Sequence, residues 1–242
     1  MRVDDQACWV LHRKAWRESS LLVELFTRDH GRIGLVARAA RGARSPWRGM
    51  VEPFCPLQAA WSRRGELGTL TALEPSSARI PLSGQALWCG LYLNELLLVL
   101  LDRDEPMPDL FEAYGRALTC LLDPDRQARA LRRFECELLA SLGVLPDLAC
   151  NATDGAAIVP EGLYHVLPET GLVPVEREGA AVVHGQAALF LAGEIDQADA
   201  EIRREARLLT RWLIDHQLGG RSLKTRELLR GGQRRTTTGD SR

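Results

Sequence analysis

The apolar pattern of this chain changes period once, and that change limits what it can fold into. Up to about Leu73 the apolar residues sit in short runs separated by turn residues; beyond Pro75 they recur every three or four positions. A strand-built part must therefore precede a helix-built part. Five strand-like runs fall within the first 75 or so residues, at Ala7 to Leu11, Leu21 to Thr27, Ile33 to Arg38, Leu57 to Trp61 and Leu67 to Leu73. Strands this short and this numerous predict a small closed barrel, because closure removes the unpaired edges they would otherwise present.

The helical half begins with an apolar-rich run from Leu82 to Leu101, followed by a second helix opened by Pro106 and Pro108 that runs to about Leu122. A third is predicted from about Asp125 to Leu142, before Gly143 and Pro146. Residues 147–183 are rich in Gly and Pro and read as an irregular β-rich insertion; helical pattern returns over Gly185 to Ala192, Ile195 to Gln217 and Ser222 to Leu229. The domains expected are thus a barrel over 1–79, a helical bundle from 80–146 and 184–230, the insertion 147–183, and a disordered Gly/Thr/Arg-rich tail, 231–242.

A formal net charge of −1 conceals a strong asymmetry. Residues 1–79 hold 13 Lys and Arg against 8 Asp and Glu, residues 80–200 hold 7 against 19, and residues 201–242 hold 11 against 5. A basic front and tail around an acidic middle fit a polyanion-binding face on a near-neutral chain. The densest basic segment is the hairpin and loop from Arg28 to Arg48, where Arg28, Arg32, Arg38, Arg41, Arg44 and Arg48 face the single acid Asp29. With Arg13 and Lys14 they form a candidate phosphate-tracking surface, since guanidinium groups bond phosphate oxygens in a planar fork and stay charged. Trp16, Phe26 and Trp47 are the aromatics placed to stack on bases; Phe26 lies in an apolar strand and reads as core, whereas Trp47 sits in the basic loop.

A second basic cluster lies on helices: Arg129, Arg132 and Arg133, then Arg203, Arg204, Arg207 and Arg211, with Arg221, Lys224, Arg226 and Arg230 beyond. It reads equally as a second DNA path or as solvated helix faces paired with Glu135, Glu137, Glu201 and Glu205. Chemistry of other kinds finds no support. No Walker-type phosphate loop, nucleophile elbow or HExxH occurs, and Asp102/Asp104 and Asp123/Asp125 read as helix-end caps, so no enzymatic activity and no cofactor are expected. The six cysteines form no C-x-x-C pair and read as buried thiols of a reducing cytosol. No segment has the charged start and apolar core of a signal peptide, and none is apolar over the ~20 residues that span a bilayer.

Several strings carry a resemblance. Leu11 to Val23, Leu25-Phe26-Thr27 and Gly31 to Arg41 are similar to the N-terminal domain of the bacterial recombination mediator RecO family. Pro81 to Gly84, Gly90-Leu91-Tyr92-Leu93-Asn94-Glu95-Leu96-Leu97, Leu131 to Glu135, and Leu218-Gly219-Gly220-Arg221-Ser222-Leu223-Lys224-Thr225-Arg226-Glu227-Leu228 match the same family in order. The resemblance implies that the barrel is an OB-fold and that the protein is cytoplasmic, nucleoid-associated and non-enzymatic. It further implies binding to single- and double-stranded DNA, strand annealing, and cooperation with RecR in helping RecA replace single-strand-binding protein. For Arg129, Arg132, Arg133, Arg203, Arg207 and Arg211 it favours a pocket for the acidic tail of single-strand-binding protein, lined by Leu131, Phe134 and Leu208. An adaptor whose barrel contacts only protein is the alternative. Many RecO-like proteins carry a four-cysteine zinc site in the segment matching 147–183; here Cys150 keeps the first ligand, Thr153 stands three residues on, and no second cysteine pair follows. No metal is expected.

Overall fold

The computed structural model describes residues 1–42, 45, 47 and 49–228. Arg44, Arg48, Arg230 and the tail 231–242 lie outside the described residues. Contacts divide the chain into two compact units, Met1–Gln127 with the segment beginning at Leu223, and Ala128–Ser222.

In the first unit, β1 (Arg2–Trp16), β2 (Ser20–Thr27), β3 (Gly31–Ala37), β4 (Leu57–Arg63) and β5 (Gly68–Pro75) close into a barrel in the order β1-β2-β3-β5-β4. All pairings are antiparallel except β3 with β5, the arrangement of an OB-fold barrel. Alternation fills the interior: Val23 and Leu25 from β2, Ile33 and Leu35 from β3, Leu57 and Trp61 from β4 are almost completely buried. Burying each such side chain contributes ~1.5–3 kcal/mol. β1 is longer than the predicted Ala7 to Leu11, because a register shift between Val10 and His12 lets its polar end continue as the first arm of the β1–β2 hairpin.

Helices cover part of the barrel's outside. α1 (Gly84–Leu100) and α2 (Pro108–Cys120) follow, and the outward-facing Trp9 and Phe26 meet Phe111 and Tyr114 of α2, with ring centroids 5.4 Å apart for Trp9 and Tyr114 and 5.5 Å for Phe26 and Phe111. Phe26 is therefore core, as its apolar strand predicts. Asn94, buried in α1, ties the layers together: its Nδ2 donates to the Leu11 carbonyl at 2.9 Å, and its Oδ1 accepts from the Tyr114 hydroxyl. The connection from Leu101 to Glu105 then lies flat on the barrel. Gly31, at φ +65°, admits it, because a Cβ there would collide with the Glu105 carbonyl.

The first unit is completed from far along the chain. A short helix over 224–228 packs on α1, where the Glu95 carboxylate accepts from the Lys224 amide at 2.8 Å, the Thr225 amide at 2.9 Å and the Thr225 hydroxyl at 2.6 Å. Its Arg226 lies over the Tyr92 ring, 5.5 Å from the centroid. Two of the matched strings, around Asn94-Glu95 and Lys224-Thr225, thus meet in space.

The second unit holds α3 (Gln127–Ser141), β6 (Leu163–Leu167), β7 (Gly171–Val175), β8 (Val182–His184), α4 (Gly185–Ala192) and α5 (Ala200–Leu218). The three strands form an antiparallel sheet in the order β7-β6-β8. α5 starts five residues later than Ile195, since the Asp199 carboxylate accepts from the Ile202 amide at 2.8 Å and caps the helix there.

Candidate nucleic-acid interface

The helices and the 101–105 connection leave the hairpin end of the outer barrel face open. Paired residues of a sheet share a face, so the register places Lys14 beside Leu22, Leu22 beside Val36, Val36 beside Thr69, and Trp16 beside Ser20 on the outside. Trp16, Leu22 and Val36 are half-buried and Lys14 is exposed; Arg38 is exposed just past β3. The result is an apolar strip with an indole, bordered by cations. Among the described residues, no carboxylate lies within ion-pair distance of Lys14, Arg17 or Arg38.

The loop after β3 is docked onto this end. The Arg41 amide donates to the Ser19 carbonyl at 2.9 Å, and its guanidinium donates to the carbonyls of Arg17 and Glu18 at 3.3 and 3.1 Å. Trp47 packs half-buried against the barrel core and its Nε1 donates to the Arg38 carbonyl at 3.1 Å. Arg17, which no residue pattern marks, stands exposed in the β1–β2 turn at φ 52°. The only available signal was its place between strand-like runs, beside Glu18-Ser19.

The other sequence-selected barrel residues lie elsewhere. Arg13 faces the barrel mouth and pairs with Glu52 at 2.5 Å. Arg28 is at the opposite end of β2, with Glu112 at 3.5 Å and Asp29 at 3.8 Å. Arg32 is largely covered: it bonds Glu24 at 3.1 Å and the Leu101 carbonyl at 3.1 Å, while Arg103 also pairs with Glu24. It fastens the connection to the barrel. Beside it, Arg63 grips Asp104 in a bidentate pair, and its hydrogen bonds hold that carboxyl below the usual carboxylate range despite partial burial.

The helical arginines separate too. Arg132 is engaged bidentately by the buried Glu135, Arg133 by Glu137 at 3.2 Å, Arg129 by Asp196 at 3.0 Å and Arg211 by Asp215 at 3.5 Å. Arg203 and Arg207, one turn apart on α5, are exposed and have no carboxylate within ion-pair distance among the described residues. Phe134 is completely buried, so nothing outside can reach it, whereas Leu131 and Leu208 are half-buried.

The segment around Cys150 does not fit a zinc ion. No group of three or more His, Cys, Asp or Glu is placed to hold a metal among the described residues. Side-chain hydrogen bonds to backbone knit the turn instead: Asp147 Oδ1 accepts from the amides of Ala149 and Cys150, Asn151 Oδ1 from those of Thr153 and Asp154, and Asn151 Nδ2 donates to the Ala156 carbonyl at 3.1 Å. Ile158, Val166 and Leu172 supply buried apolar packing in the same segment. Because Asn151 is buried and serves three backbone groups, Asn151→Ala should destabilise the second unit by about 1–3 kcal/mol. Chemical denaturation measures the loss, and hydrogen exchange should show it centred on 147–158.

Barrel topology defines an OB-fold protein, with one open, cation-bordered strip on its outer face. Comparison with known proteins gives the family. The family model described as "Recombination protein O N terminal" matches residues 1–79, and that described as "Recombination protein O C terminal" matches 82–227. The chain is 48% identical over 233 residues to DNA repair protein RecO of Alkalilimnicola ehrlichii, covering 95% of this chain and 92% of the relative. DNA repair protein RecO of Methylococcus capsulatus is 43% identical over 222 residues, covering 92% and 91%, and that of Azoarcus sp. strain BH72 is 42% identical over 233 residues, covering 94% and 96%. The chain belongs to the RecO family of DNA repair and recombination proteins.

Proposed function

We propose that this protein binds and anneals single-stranded DNA and, with RecR, promotes loading of RecA onto DNA coated with single-strand-binding protein. The observation that carries this reading is the open outer strip of the barrel, where Trp16, Leu22 and Val36 lie between Lys14, Arg17 and Arg38. Cations there track phosphates without reading base edges, while the indole offers a platform for a base. Annealing needs two strands neutralised but not enclosed. The barrel, residues 1–79, supplies one track in this reading, and Arg203 and Arg207 of α5 supply the second track or the seat for the acidic tail of single-strand-binding protein. Arg13, Arg28, Arg32 and Arg132, each held by a carboxylate, shape these surfaces more than they contact the polymer. The protein acts in the cytoplasm by positioning and charge, with no covalent step.

Trp16→Ala tests the reading without touching charge. Loss of one base–aromatic stack, worth ~1–3 kcal/mol, should weaken oligonucleotide binding about tenfold. The salt dependence should stay as steep as in the parent. Fluorescence anisotropy of a labelled single strand measures both, and a variant that binds as tightly as the parent removes Trp16 from the interface.

A further inference from the structure

α5 carries two faces of opposite character. Arg203, Arg207 and Arg211 line one; Glu201, Arg204, Glu205, Leu208 and Trp212 line another, turned toward the three-stranded sheet. Between this second face and the 178–184 segment lies a groove of about 250 Å³. Leu163, Val182 and the half-buried Leu208 and Trp212 contribute apolar side chains to its lining. Its polar walls are mostly acidic. Glu178, Glu201 and Glu205 stand against one arginine, Arg204, and one histidine, His184.

The walls are held in place before anything binds. The Glu205 carboxylate, mostly buried, accepts from the His184 amide at 2.8 Å and lies 3.0 Å from His184 Nδ1, so it pins the junction of β8 and α4 to α5. Glu201 has only an exposed contact to Arg204 at 3.6 Å, and Glu178 has no ion-pair partner among the described residues. These two residues are exposed and line the same groove as the Trp212 indole and Leu208.

We propose that this groove docks a basic, apolar peptide segment of a protein partner, with a lysine or arginine side chain at its centre. Such a side chain matches both layers at once: its alkyl stem covers Leu208 and Trp212, and its charged head reaches Glu178 and Glu201. The same carboxylates repel a phosphate backbone or an acidic tail, so this face of α5 selects against the ligands suited to the Arg203–Arg207 face. One helix thus separates two kinds of partner by side.

The test uses the full chain and a fluorescein-labelled Leu-Leu-Arg-Leu-Leu amide, compared with its citrulline analogue, which keeps shape but loses charge. The arginine peptide should bind saturably and shift the Trp212 indole N–H resonance, assigned by its loss in Trp212→Phe; the citrulline peptide should bind at least several-fold more weakly. Glu178→Gln with Glu201→Gln should weaken the arginine peptide roughly fivefold, the scale of two exposed ion pairs, and Arg204→Ala should tighten it by releasing Glu201. Equal binding of the two peptides, an unmoved Trp212 resonance, or unchanged affinity in the double variant would each overturn the proposal.

Discussion

Replacing Lys14, Arg17 and Arg38 together by alanine is expected to weaken single-stranded DNA binding about 100-fold near 0.1 M salt. Each phosphate contact on a single strand contributes roughly 0.7 to the slope of log affinity against log salt, so three lost contacts flatten that slope by about 2. Affinity and slope must fall together, because both arise from the same released counterions. All three side chains are exposed at the hairpin end and lack carboxylate partners among the described residues, so their removal leaves no buried charge behind. Arg28→Ala is the matched control, since Arg28 sits at the far end of β2 between Glu112 and Asp29 and should leave the slope unchanged. Anisotropy titrations over a salt series decide it: parallel lines for parent and triple variant would place the strand elsewhere.

The second large effect concerns stability. Asn94→Ala should lower the unfolding free energy by about 2–3 kcal/mol, since the buried Leu11 carbonyl loses its Asn94 donor and the Tyr114 hydroxyl loses its Asn94 acceptor. Burial already raises the Tyr114 pKa far above the ordinary phenol value, so that hydroxyl stays protonated and must find an acceptor. Tyr114→Phe should cost less, about 1 kcal/mol, because it removes one hydrogen bond and leaves a single acceptor site unfilled. The double variant should be less destabilised than the sum, as the residues share one network. Urea titration supplies the numbers, and an Asn94→Ala midpoint equal to the parent's would mean that helix α1 and strand β1 are not joined through this side chain.

Much of the barrel was legible because short runs of apolar and β-forming residues bounded by turn residues announce strands. Leu21 to Thr27 and Ile33 to Arg38 show it, and their observed strands, Ser20–Thr27 and Gly31–Ala37, differ by a residue or two at the ends. The tail of β1 was not legible, since Arg13, Lys14 and Trp16 have no core to announce: Arg13 turns to the barrel mouth while the other two turn outward. Charge alone was a poorer guide than charge with register. Arg32 looks like its neighbours in the basic run, yet it lies across the β2–β3 ladder from the region of Glu24, and only the register of that ladder discloses the pair. Arg17 shows the converse, an open cation in a turn too short to draw notice. Asn151 is similar: a polar residue in a Gly-rich stretch gives no hint that it organises the turn, until three backbone groups are seen converging on it. The matched strings around Asn94-Glu95 and Lys224-Thr225 are explained by geometry as joints rather than contacts for a ligand.

The clasp that Glu95 makes on residues 224 and 225 also sets a schedule. Its two halves are 129 and 130 positions apart, so during synthesis the receiving carboxylate emerges early and waits. At ~5–20 residues per second, the interval lasts several seconds or more, time in which the barrel can form while one flank of its first helix stays uncovered. A late piece of the chain therefore shuts an early one, and a chain interrupted before Lys224 would carry its barrel and first helix with this latch undone.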